Sequence, residues 1–342
     1  MSRFITALGL MSTCLGLGLG LGPVEARQPR AAWTDSVSYR RPDDAGTSAR
    51  ALRAVDWLKR HTVTFARPGE DESIPVIAWK DPTLAPDEPK VLAGYLITDT
   101  LWAAKALKPF DPEAAEAMER GLQRLGAYGN GLQDVLFHPI DRMLHRPADV
   151  DFVHGHSLGR FPIDGGRSVD VRDFLQKWDA GFEVGHPARF AEHAAYQALH
   201  DFWKGRKDQA RRRILGIVKD DRGADPDDAV FWDDRAGVLV DYASQKDWLR
   251  FQSGASAAYP HCSFKLGVLL YAFRLMGLET DDAIAPRLEK MRRRLWSAQT
   301  EEGGIAHFID VRRDGEVAPR NRGATGEATA IAILSETVEA AK

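Results

Sequence analysis

The sequence predicts an all-α protein, an α/α toroid of about four helical-hairpin repeats joined by short extended connectors. Three observations predict it. Apolar residues recur at spacings of three and four over long stretches. Those stretches fall into pairs, and each pair is split by a short apolar segment ending in aspartate. Finally, some stretches are apolar on most sides while others carry charge along one face, as inner and outer helices would.

The predicted helices run roughly over 48–65, 88–107, 112–127, 187–204, 206–219, 260–277, 281–299 and 324–341. The first rests on apolar spacing alone. In "DPEAAEAMERGL", Asp111 is a helix cap, Pro112 occupies the first turn and acidic residues follow. "HPARFAEHAAYQALHDFW" again sets a proline, Pro187, at the first helical position. "TDDAIAPRLEKM" opens on Thr280 and two carboxylates. The stretches 88–107, 260–277 and 324–341 ("FKLGVLLYAFRLMGL", "ATAIAIL") suit an inner ring. Those at 206–219 and 281–299 suit an outer one, with the arginine runs Arg211–Arg213 and Arg292–Arg294 as solvated faces.

The connectors read "IPVIAWKD" at 74–81, "DVLFHPIDR" at 134–142, "AVFWDDR" at 229–235 and "IAHFIDVR" at 305–312. Each leads to an aspartate (Asp81, Asp141, Asp234, Asp310), with Trp79, His138, Trp232 or His307 two or three positions earlier. The repeat units then span about 48–107, 111–204, 206–277 and 280–341, the second enlarged by an insertion at about 143–185.

The segment "LWSAQTEEGGIAHF" resembles the repeat of terpenoid cyclases and protein prenyltransferases, in which a helix ends in Gln and a Gly-rich turn follows. "NRGATGEATAIAIL" is similar to the next inner helix in distant secreted or archaeal members of that α/α-toroid superfamily. The resemblance is best over 281–341, weaker over 206–277 and only architectural before that. It departs from the repeat at Ile305, where an aromatic is usual. Gln299 is expected to bond the open end of its helix, and Gly303-Gly304 to permit the chain reversal. The resemblance implies terpenoid or prenyl-type chemistry.

Composition narrows the partners. With 44% hydrophobic and 28% charged residues the balance is that of a folded globular chain, and a net charge of −3 leaves no basic surface for nucleic acid. Residues 1–26, "MSRFITALGLMSTCLGLGLGLGPVEA", read as a signal peptide cleaved after Ala26, and 27–47 as a flexible tether before a single domain over 48–341. The mature protein is then exported, periplasmic or extracellular, with no membrane association. Cys262 remains its sole cysteine, so no internal disulfide supports the fold.

In a toroid, inner-helix starts and connectors line a central cavity. The starts contribute His186, Glu192 and His193; Tyr259, His261 and Cys262; and Arg322, Thr325 and Glu327. Glu327 stands out, because a carboxylate in a small, apolar helix start must be paired or face a cavity. The candidate catalytic residues are His186, Glu327 and Asp234. The candidate binding residues are Trp79, His138, His193, Trp232, His261, His307 and Arg322, with Arg322 the natural partner of Glu327. The sequence assigns no metal site and names no cofactor. "DPDD" at Asp225–Asp228 fits an acidic or calcium-binding turn as well as an alkene-protonating motif, and "HGH" at His154–His156 is a weak metal pattern. The expected function is binding of an extracytoplasmic small-molecule or glycan ligand in the central cavity, with glycan-directed lyase or hydrolase activity. A non-catalytic binding or scaffold protein is the alternative, and terpenoid or prenyl-type chemistry a second one.

Overall fold

A computed structural model describes residues 37–66, 73–77, 94–124, 136–137, 156–163, 167–173, 190–218, 230–241, 244–320 and 323–341. The chain divides into two compact units, Met1–Trp33 and Thr34–Lys342, and the described residues all belong to the second.

The expectation of an all-α protein is overturned. Among the described residues nine helices alternate with ten strands, giving mixed α and β content. The helices are α1 (Ala45–Arg60), α2 (Ile97–Leu107), α3 (Pro112–Arg124), α4 (Ala191–Trp203), α5 (Lys207–Val218), α6 (Gln245–Gln252), α7 (Ser263–Leu275), α8 (Ala285–Ser297) and α9 (Gly326–Thr337). The strands are β1 (Thr62–Ala66), β2 (Ser73–Ile77), β3 (Gly94–Leu96), β4 (His156–Ile163), β5 (Arg167–Asp173), β6 (Val230–Asp233), β7 (Val238–Asp241), β8 (Ala258–Cys262), β9 (Phe308–Arg312) and β10 (Val317–Pro319). They form the antiparallel sheets β1-β2, β6-β7 and β10-β9-β8, and a mixed sheet, β3-β5-β4. The connectors are therefore not bare links. Their β-branched and aromatic residues fit a pleated surface, and their backbone groups need partners once covered, so those at 74–81, 229–235 and 305–312 contribute β2, β6 and β9 to ladders.

The helices pack in a row. α9 lies between α2 and α7, α7 also touches α4, and α3, α1, α8 and α5 back the row from outside. α7 and α9 are buried on almost every side because nearly every residue is apolar or small. Their approach is close: a Cβ on Gly267 would meet Ile331 Cγ2 at 2.7 Å.

The turn before β9 is fastened to α1. Gln299 Nε2 donates to Arg50 O (3.0 Å) and Gly303 O (2.9 Å), not to the open end of α8. Arg53 Nη2 donates to the Thr300 and Glu301 carbonyls, each at 3.1 Å. Gly303 has φ +101°, and a Cβ there would lie 2.5 Å from Arg53 O. Gly303→Ala combines a strained φ with a backbone clash. It is expected to cost about 2–4 kcal/mol, read as a lowered urea midpoint with unchanged slope.

Candidate functional site

Pairing of β8 with β9 builds the site. Cys262 stands opposite Phe308, at the end of β8, and occupies the residue just before α7 without bonding the helix end through its side chain. His307 immediately precedes β9, and the Ser263 amide donates to its carbonyl at 2.8 Å. Ser263 Oγ donates to the Ala306 and His307 carbonyls, locking the two segments together. Glu327 is in the first turn of α9, which Thr325 caps by accepting from the Ala328 amide. Cys262 Sγ lies 3.2 Å from His307 Nε2, and His307 Nδ1 lies 3.9 Å from Glu327 Oε2. Phe264 stacks on the imidazole at 5.7 Å and Phe308 meets it edge-on at 4.6 Å. The side chains of His307 (22% exposed) and Glu327 (23%) both keep part of their surface open.

Beneath this trio is a buried charge cluster. Lys265 Nζ is 2.5 Å from Asp241 Oδ2 and 3.2 Å from Glu192 Oε2, and sits over the Phe190 ring at 5.3 Å. Asp241 also accepts from the Ala191 amide at 3.2 Å and from Ser244. Burial opposes the charge on Lys265, but Glu192 and Asp241 overcome it and hold the ammonium above its ordinary range. Burial likewise opposes ionised Asp241, and Lys265 more than compensates, leaving Asp241 lowered. Glu192 is raised, chiefly by burial against the pull of Lys265. Burial and then Lys265 push His193 down to about 4; burial also brings His261 to about 4, against the pull of Asp241. Both imidazoles are neutral at pH 7.

The groups facing Glu327 are Asp99 on α2, Glu192 on α4, Lys265 on α7, and Cys262 and His307. Burial, then Glu192, raise Glu327 to about 8 against the opposing pull of Lys265. Asp99 is raised by burial and by the charge of Glu327. Burial and the Glu327 charge also raise the Cys262 thiol well above its usual value, so it rests as neutral SH.

A carboxyl raised in the folded state binds its proton more tightly there than in the unfolded chain. Its stabilising effect is whole below about pH 4.5 and is lost as pH climbs through about 8. Glu327→Gln lacks that loss. Its melting temperature relative to the native protein is therefore expected to rise from about pH 5 to about pH 9; a constant difference contradicts the assignment.

The sequence-predicted residues divide three ways. Glu327 and His307 meet at the thiol, and His193 and His261 lie within the field of Lys265 and Asp241. His186, Trp79, His138 and Arg322 lie outside the described residues, as do Asp225–Asp228 and His154. Trp232 and Asp234 are elsewhere. Trp232 is fully buried, leaving no ring face for a ligand to stack on, and its Nε1 donates to Asp234 Oδ1 at 3.0 Å. Asp234 is an exposed residue of the β6–β7 turn, with Lys290 Nζ on its carbonyl. Both follow from hairpin geometry: the strand residue points into the core and the turn residue outward.

The sequence reading put Cys262 at the cavity mouth without giving it a catalytic or binding role, and it missed Lys265, Asp241 and Asp99. Lys265 carried the plainest signal, a lone cation in "SFKLGVLLYAF", which burial obliges to find a counter-charge. Two hollows of about 810 Å³ and 580 Å³ open at other places, beside α1–α8 and beside α4–α5. Neither is lined by the trio or by Lys265. In the larger, Arg274 and Arg292 are already paired with Glu279 and Glu336.

No family model, curated protein or solved structure matches the chain.

Proposed function

We propose that the protein is an exported, thiol-dependent acyl-transfer enzyme acting on an ester, thioester or amide of an extracytoplasmic ligand. The observation behind this reading is the order of contacts through one imidazole: thiol to Nε2 at 3.2 Å, carboxylate beside Nδ1 at 3.9 Å. Nucleophile, base and orienting acid in that sequence are what covalent acyl transfer needs. His307 Nε2 takes the thiol proton as Sγ attacks the acyl carbon. The new C–S bond forms, the bond to the leaving group breaks, and the leaving group departs with the proton from His307. Water, deprotonated by His307, then cleaves the thioester, releasing the acid and restoring the thiol. Ionised Glu327, at 3.9 Å acting through its charge and not through a hydrogen bond, favours a proton on Nδ1 and leaves the Nε2 lone pair toward Sγ. Protonated Glu327 favours the opposite tautomer, so turnover is expected to climb as pH passes about 8.

A second reading, glycan cleavage with Glu327 as general acid, draws on the burial and the Glu192 charge that keep Glu327 protonated at neutral pH.

The test uses 4-nitrophenyl acetate with the purified protein and with Cys262→Ala. The expected result is a burst of nitrophenolate, an acetyl group mapped by mass spectrometry to Cys262, and loss of both in the variant. Equal turnover by Cys262→Ala, or acetyl found only on lysines, overturns the acyl-transfer reading. Reducing-end release from polysaccharides by Cys262→Ala would support the glycan reading instead.

A further inference from the structure

Among the described residues the charges around the thiol do not balance. Across the cluster, Asp241 holds Lys265 at 2.5 Å and Glu192 shares it at 3.2 Å. The other end, at the start of α9, carries Asp99 and Glu327. Asp99 is 3% exposed, and its Oδ2 has no hydrogen-bond partner among the described residues. Asp99 lies in the first turn of α2, which packs against α9, and the charge of Glu327 is felt at its carboxylate. Among the described residues the positive group nearest Glu327 in an ion-pair sense is His307, at 3.9 Å, and only when protonated. His193 and His261, neutral at pH 7, add no positive charge. A buried carboxylate with an unused oxygen beside a second carboxylate is costly unless one of them takes up a proton or something cationic joins them.

We infer that Asp99 and Glu327, with Glu192 at the edge, form an acidic subsite beside Cys262 for the ammonium group of the substrate. The substrate class is then an amine-bearing acyl compound, such as an aminoacyl ester or amide. The acyl part rests on the thiol reading above, but the cation subsite does not. An organic ammonium fits better than a metal ion. Among the described residues no three His, Cys, Asp or Glu groups converge as metal ligands. The three N–H bonds of an ammonium can instead reach separately placed oxygens. The position also suits the chemistry. An ammonium between Asp99 and Glu327 favours ionised Glu327, the form that orients His307 as a base, so the correct substrate assembles the catalytic trio as it binds.

Two measurements test the inference. In the first, pentylamine and 1-pentanol are titrated calorimetrically into Cys262→Ala at pH 7 and low salt. The amine is expected to bind at least about tenfold more tightly, and Asp99→Asn to remove about that factor. In the second, the native protein is given 4-nitrophenyl 6-aminohexanoate and 4-nitrophenyl hexanoate, and kcat/KM is expected to favour the amino ester about tenfold or more. Amine binding without an acyl adduct on Cys262 keeps the subsite and removes the thiol reading. An adduct without amine preference removes the subsite and keeps the thiol reading. If Asp99→Asn does not fold, the ester pair decides. Equal binding of amine and alcohol overturns the inference.

Discussion

His307→Ala is expected to slow acylation of Cys262 roughly a hundredfold to ten-thousandfold while leaving the melting temperature almost unchanged. Burial and the Glu327 carboxylate hold the Cys262 thiol in its neutral form, so without a base it offers little nucleophile at pH 7. The imidazole is the group within reach of that proton. The structural work at this position is done by the main chain: the His307 carbonyl accepts from Ser263, and its amide donates to Gly323 O at 2.9 Å. Removing the ring therefore leaves the β8–β9 junction in place. Added imidazole, entering the vacated space, is expected to restore part of the rate. A variant that acylates as fast as the native protein would show that the thiol ionises by another route.

Lys265→Met is expected to destabilise the fold by about 3–5 kcal/mol, because breaking a buried ion pair leaves an uncompensated charge in the interior. Lys265 is 5% exposed and Asp241 2% exposed, so water can do little to replace the lost ammonium. The Ala191 amide and Ser244 still bond Asp241, which sets the loss within that range and below complete unfolding. Pairing the change with Asp241→Leu removes both charges and is expected to recover much of the stability. Urea titration of both variants gives the comparison. A loss below about 1 kcal/mol for Lys265→Met would mean that the pair is solvated and the cluster is not buried.

All the described helices except α6 were legible in the sequence because apolar spacing and caps are local signals. α3 begins at Pro112 behind Asp111, and α9 behind its cap Thr325, with its run of small residues. The extended connectors at 74–81, 229–235 and 305–312 foreshadowed β2, β6 and β9, but the other strands and all the pairings were not legible, for a physical reason. "AYPHC" runs directly into "SFKLG", so one apolar run holds a strand and then a helix, and periodicity cannot divide them. Partnership between β8 and β9 is non-local, so the meeting of Cys262 with His307, 45 residues apart, has no sequence signature. Glu327 could be singled out because a carboxylate among alanines and glycines needs an explanation wherever it lies. Trp232 was read as a ligand platform because an aromatic before an acidic turn fits that role as well as the buried face of a hairpin, the place it occupies. The mixed sheet β3-β5-β4 was missed for a related reason: the segment at 143–185 reads as an irregular insertion, yet it contributes β4 and β5.

The fastening of the 300–304 turn to α1 has a mechanical corollary. Gln299, Arg53 and Arg60 clamp that turn to the first helix, which also packs against α9. A small tilt of α1 would reach the 300–304 turn and α9, while Ser263 keeps the imidazole segment tied to the thiol at the mouth of α7. The gap between the ring and the Glu327 carboxylate is thus the one most exposed to leverage from the amino-terminal helix, and force applied there would act on reactivity before it acted on shape.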